Sequence, residues 1–149
     1  MSAKGYADVA EIMAILKDIP LGEHKLEIGL QLRQAMFLNS ILFNSESWHN
    51  VSDDDLKSLV TIDQYLLRSL VEGHSKAPLE FRYLESGATA IRHLVSSRRL
   101  IYLQTILKRS DTELTKRILI AQKNDPSPGD FVKLVEKDLK NMDTNRFKR

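Results

Sequence analysis

Residues 45–56 read SESWHNVSDDDL, placing a carboxylate, an imidazole and three successive aspartates within a dozen positions. Glu46 and His49 stand three apart, the spacing that lets two side chains on one helix reach a common metal ion. Carboxylate-bridged metal sites need two such pairs together with further carboxylates, and no second pair of this kind occurs in the chain. His24, His49, His74 and His93 are widely separated, with neither HxH nor HxxxH spacing. The aspartates read better as a helix start. Ser52 precedes Asp55 by three residues, and an apolar pattern follows through Leu56, Leu59, Val60, Ile62, Leu66, Leu67 and Leu70. Ser52 would cap that helix, with the acids in its first turn facing free N–H groups and the positive end of the helix dipole. Successive helical residues project about 100° apart, so Asp53, Asp54 and Asp55 cannot converge on one ion.

Other chemistry is sparse. The chain has no cysteine, which removes disulfides and thiolate sites, and it has neither GxSxG nor a glycine-rich phosphate loop. No catalytic residue, metal ligand or cofactor is assigned. What remains is a cluster of cations: Arg92, Arg98, Arg99, Lys108, Arg109, Lys116 and Arg117. Residues 89–123 carry 8 Lys/Arg against 2 Asp/Glu, whereas residues 1–88 carry 8 against 13. Such a segment suits the phosphates of a nucleic acid, each cation adding a salt-dependent increment. It equally suits a solvated helix face that balances an acidic N-terminal half. Tyr83 and Tyr102 could stack on bases, or serve as core residues beside leucines.

The elements that would position these residues are helices. Apolar residues recur at three- and four-residue spacing with no stretch of period two. With 6 Gly and 4 Pro in 149 residues, sharp turns are few. A first helix is expected over 6–17 and a long second one over 23–46, with Leu26, Leu30, Arg33, Phe37, Ile41 and Asn44 in register. Its centre, AMFLNSILF, is apolar nearly all round and should be the most buried element. The third helix should end at Gly73. Pro78 opens a short helix that Gly87 closes, Thr89 caps a basic helix reaching 109, and a Ser110–Glu113 capping box opens TELTKRILIAQK. Asp130 should cap FVKLVEKDLKNM, and the tail DTNRFKR should fray. The expectation is an all-α bundle of six or seven helices, with a bundle at 1–123 and a connector at 124–149. No run of about 18 apolar residues would span a membrane. The N-terminus carries acids where a targeting peptide would be basic, so the chain reads as intracellular.

Several phrases in fixed order carry a resemblance: LRQAMFLNSILFNSESWH, DDLKSLVTIDQYLLRSL, PLEFRYLESGATAIRHLVSSRRLIYLQTIL and AQKNDPSPGDFVKLVEKDL. The chain resembles the thumb and connector that follow the polymerase core in reverse transcriptases of non-LTR, LINE-type retrotransposons. The resemblance implies a helical bundle that holds an RNA or RNA–DNA duplex backbone, beside the polymerase core if the chain is a fragment, and a nuclear location. The palm's Tyr/Phe-x-Asp-Asp tetrapeptide is absent, so polymerisation is not carried over. Arg98 and Arg99 fall in the family's RRL motif and could meet phosphates or pair with acids such as Glu46 or Glu85. Trp48 falls in SE.W as a packing anchor, and Glu85 and Gly87 in YLE.G. Phe131 departs from the family's pattern, which has Trp after GD. The alternative reading is an interaction module derived from such an element, which binds a protein partner or a second copy of itself through an exposed part of the second helix.

Overall fold

The computed structural model describes residues 2–48, 53–71 and 77–146. Among them are seven helices and no strand: an all-α fold, as the three- and four-residue periodicity requires. The helices are α1 (Ser2–Leu16), α2 (Glu23–Leu32, continued by a wide π turn at Arg33–Leu38 and by Asn39–Ile41), α3 (Asp53–Leu70), α4 (Leu79–Ser86), α5 (Ile91–Leu107), α6 (Leu114–Asn124) and α7 (Phe131–Arg146). None is long and apolar enough to cross a membrane. The chain forms two compact units. The first comprises residues 1–43 and 52–93, and the second residues 44–51 and 94–149. Because α6 and α7 pack on each other within the second unit, the expected break at 124 falls inside it.

In the first unit the core is built from Val9, Ile12 and Leu16 of α1, Phe37, Leu38, Ile41 and Leu42 of the second helical run, and Leu59, Ile62, Leu66, Leu67 and Leu70 of α3. The π turn has a geometric reason. Gly29, Arg33, Phe37 and Ile41 recur every four residues, a spacing that drifts by about 40° per turn on an ordinary α-helix. The wider turn cancels that drift and keeps all four inward. Gly29 matters for a second reason: a methyl there would run into the Leu70 side chain, so its absence lets α2 approach α3 closely. The AMFLNSILF segment is buried on one side only. The helix stops at Ile41, and Asn44 takes a left-handed conformation (φ 55°), which Asn tolerates better than most residues. Phe43 is left 73% exposed, so the segment expected to be the most buried meets solvent at this end.

Several local signals act where expected. Pro78 precedes α4, and Gly87 closes it in the left-handed region (φ 68°), where a Cβ is disfavoured. Others act differently. The serine of the expected Ser110–Glu113 capping box belongs to a turn ahead of the helix, accepting from Thr112 N–H at 3.4 Å, and Glu113 itself is the N-cap residue of α6. Asp130 turns back, its carboxylate accepting from Ser127 N–H at 2.7 Å. α7 continues through Asp143 to Arg146, where fraying was expected. The capping role of Ser52, the stop at Gly73 and the Glu46–His49 pairing involve residues outside those described.

Candidate nucleic-acid interface

The second unit holds 13 Lys/Arg against 8 Asp/Glu, while the first holds 9 against 12. The excess of cations is thus gathered on α6, α7 and the later part of α5. The seven cations singled out from sequence do not form one surface.

Arg99 faces inward. Along α5, Ile91, Val95, Arg99 and Ile106 occupy the buried register. The Arg99 Nη1 donates to Asp138 Oδ2 on α7 at 2.8 Å, with both side chains under one-tenth exposed. Ser96, one turn earlier, donates its hydroxyl to the other carboxylate oxygen at 2.8 Å. Asp138 is thereby held by two residues on one face of α5, and Arg99 is removed from any phosphate-contacting set. It pairs with an acid, as one of the two sequence readings allowed, but with Asp138 in place of Glu46 or Glu85.

Lys116 is also committed. Its ammonium donates to the carbonyls of Arg109 (2.9 Å) and Leu107 (3.2 Å) and pairs with Asp111 at 2.7 Å. A cation beside the last carbonyls of α5 satisfies acceptors that have no partner within the helix and complements the helix dipole. Arg109 reaches Glu113 at 3.4 Å and Thr115 at 3.2 Å, so it braces the same turn while remaining partly in solvent. Arg98 is half-buried, and Arg92 is exposed but lies in the first, acidic unit. Lys108 and Arg117 are exposed with no ion-pair partner among the described residues, as are Lys123 and Lys137, which the sequence reading left outside the site.

Tyr102 is half-buried. It meets Phe131 edge-on, with centroids 5.8 Å apart and planes at 85°, a favoured aromatic geometry. The two rings border a groove of about 210 Å3 with Ile106, Ile118 and Leu119.

Tyr83 belongs to a buried polar cluster in the first unit that the sequence reading did not assemble. Arg33 Nε donates to Asp63 Oδ1 at 2.6 Å and Nη2 to Asp63 Oδ2 at 2.7 Å, a bidentate pair. Arg33 Nη2 also donates to the Thr89 carbonyl at 2.9 Å, and the Tyr83 hydroxyl donates to Asp63 Oδ2 at 2.8 Å. The cluster ties α2, α3, α4 and the approach to α5 together. Burial pushes the Tyr83 hydroxyl well above its ordinary pKa, and the Asp63 charge and hydrogen bond push it the same way. Its signal in the sequence was two opposite charges, each at a core register. Neither cluster has the composition of a metal site, and among the described residues no three His, Asp or Glu side chains gather as one would require.

Comparison of the chain with protein-family models, with curated proteins and with solved structures gives no match.

Proposed function

We propose that the chain is a non-catalytic helical module that holds the backbone of an RNA–DNA hybrid or RNA duplex, in the manner of the reverse-transcriptase thumb it resembles. The observation that supports this reading is the basic second unit, in which Lys108, Arg117, Lys123 and Lys137 remain exposed and, among the described residues, unpaired after Arg99 and Lys116 are consumed internally. These cations lie on three different elements, and Arg117 and Lys123 project about 120° apart around α6. That layout suits diffuse attraction to phosphates and offers no convergent set of donors for reading bases.

Fluorescence anisotropy with a short RNA–DNA hybrid, titrated over salt, tests it. Binding should weaken steeply with salt, and a Lys108→Ala/Arg117→Ala variant should lower the log–log slope by about two, one for each phosphate released. Arg99→Ala should leave that slope unchanged while lowering stability, because its charge is spent on Asp138. Absence of binding at low salt would end this reading.

A second reading, self-association, is supported by the apolar residues that the second unit leaves in solvent: Ile101, Leu107, Leu114, Ile118 and Ile120. Light scattering over a range of concentrations decides it, since a strict monomer would leave no role for those residues.

A further inference from the structure

The first unit carries a groove of about 150 Å3 lined by Tyr6, Thr61, Gln64, Tyr65 and Arg68. On α3 the spacing Thr61, Gln64, Tyr65, Arg68 defines one face, beside the face that buries Leu59, Ile62, Leu66 and Leu70. Tyr6 comes from α1, adjacent to Gly5. A Cβ at Gly5 would lie 3.2 Å from both Ile62 Cδ1 and Phe37 Cε2, so the missing side chain is what lets α1 approach closely enough to bring Tyr6 to the groove.

The side chains in the groove are unusually uncommitted. Tyr6 and Tyr65 are 51% and 54% exposed. Among the described residues, neither ring packs on another aromatic, and the polar groups of Tyr6, Gln64, Tyr65 and Arg68 have no hydrogen-bond or ion-pair partner. Only the Thr61 hydroxyl is spent, on the Lys57 carbonyl at 2.9 Å.

The chemistry of this set narrows the ligand. Arg68 disfavours a cation, and the polar heads of Gln64 and Arg68 disfavour a purely apolar partner. A bare anion would have a single cation to hold it, inside a unit whose acids outnumber its bases. Two aromatic rings, a planar guanidinium and an amide with one donor group and one acceptor suit a ligand that joins a flat heterocycle to a negative charge. Duplexes keep their bases stacked inside, so the heterocycle must be unpaired.

We propose that the Tyr6–Tyr65–Arg68 groove binds an unpaired nucleotide of a single-stranded nucleic acid, its base stacked on the tyrosines and its phosphate against Arg68. The site lies in the unit that does not carry the basic excess and stands without the duplex-holding reading. Because the surrounding unit is acidic, recognition here depends on stacking more than on long-range attraction.

The test uses the full chain and fluorescein-labelled strands of about ten units: oligothymidylate, oligouridylate and an abasic strand with the same phosphates. Strands with bases should bind about tenfold or more tighter than the abasic strand, the gain expected from base–aromatic stacking. Tyr6→Ala and Tyr65→Ala should each erode that preference, Tyr65→Phe should keep it, and Arg68→Ala should lower the salt slope by about one. These side chains are exposed, so helical circular dichroism should be unchanged in every variant. Equal affinity for base-bearing and abasic strands, or a preference that survives the Tyr6→Ala/Tyr65→Ala double variant, would overturn the proposal. An unaltered chain that fails to bind the RNA–DNA hybrid at low salt yet keeps the base preference would count against the duplex reading alone.

Discussion

Replacing Arg33 with methionine, a side chain of similar length without the charge, should be among the most damaging single changes in the first unit. The side chain of Asp63 is 0% exposed and that of Arg33 5% exposed. With Arg33 gone, the Asp63 carboxylate keeps one donor, the Tyr83 hydroxyl, and is otherwise an uncompensated charge away from water. Breaking a buried pair in this way costs about 3–5 kcal/mol. The Thr89 carbonyl loses its donor as well, adding about 1 kcal/mol. Removing the whole cluster should be far milder. In Arg33→Met/Asp63→Leu/Tyr83→Phe no polar atom is orphaned except the Thr89 carbonyl, and an apolar replacement of a buried ion pair is often neutral or stabilising. Urea unfolding followed by helical circular dichroism reads both. With a slope of about 2 kcal/mol per molar, the single variant should lose roughly 2–3 M in midpoint, and the triple variant should recover most of it. The reasoning fails if Arg33→Met shifts the midpoint by less than about 0.5 M, or if the triple variant is no more stable than the single one.

Two further outcomes follow from the same unit. Gly29→Ala should lower the melting temperature by a few degrees: the methyl meets the buried Leu70, costing about 1–3 kcal/mol, which outweighs the gain of about 1 kcal/mol in helix propensity; a raised melting temperature would show that Leu70 moves aside freely. The Tyr83 hydroxyl is raised above 10.0 in the folded chain, so its stabilising contribution is whole below pH 10.0 and is lost as the pH climbs beyond it, at no more than about 1.4 kcal/mol per pH unit and less because the ring is partly in solvent. Tyr83→Phe should therefore flatten the decline of the urea midpoint between about pH 10 and pH 12, and parallel declines in the two proteins would remove Tyr83 as its source.

Helix identity was legible in the sequence because it rests on local rules. Apolar spacing, Pro78 before α4 and Gly87 after it act within a few residues, and the structure uses them as written. Rules with two local solutions were less reliable. Ser110 and Glu113 satisfy a capping box in sequence, yet the same residues also close a turn, with Glu113 N–H donating to the Ser110 carbonyl at 3.0 Å, and the helix begins one residue later. The end of the second helical run was misjudged for a different reason. Hydrophobicity alone carries AMFLNSILF onward, but the left-handed turn at Asn44 ends it and leaves Phe43 in solvent.

The cations show why the binding surface was harder to read than the fold. Arg98 and Arg99 are neighbours in sequence and both basic, which invites treating them as one patch. On a helix, neighbours point about 100° apart, so two adjacent residues cannot both lie at the centre of an outward face. Register decides between them. Arg99 stands four residues after the buried Val95 and seven before the buried Ile106, and it meets Asp138, which follows the buried Val135 by three on α7. Arg33 and Asp63 obey the same rule, each sitting at a core position of an otherwise apolar stripe. A charge in core register needs an opposite charge in core register elsewhere, since leaving either alone in the interior costs several kcal/mol. Opposite charges in core register are therefore matched to each other before any are given to a ligand. Among the sequence-assigned cations of the second unit, that leaves Lys108 and Arg117 exposed and without an ion-pair partner among the described residues, and they are where phosphate binding should be sought first.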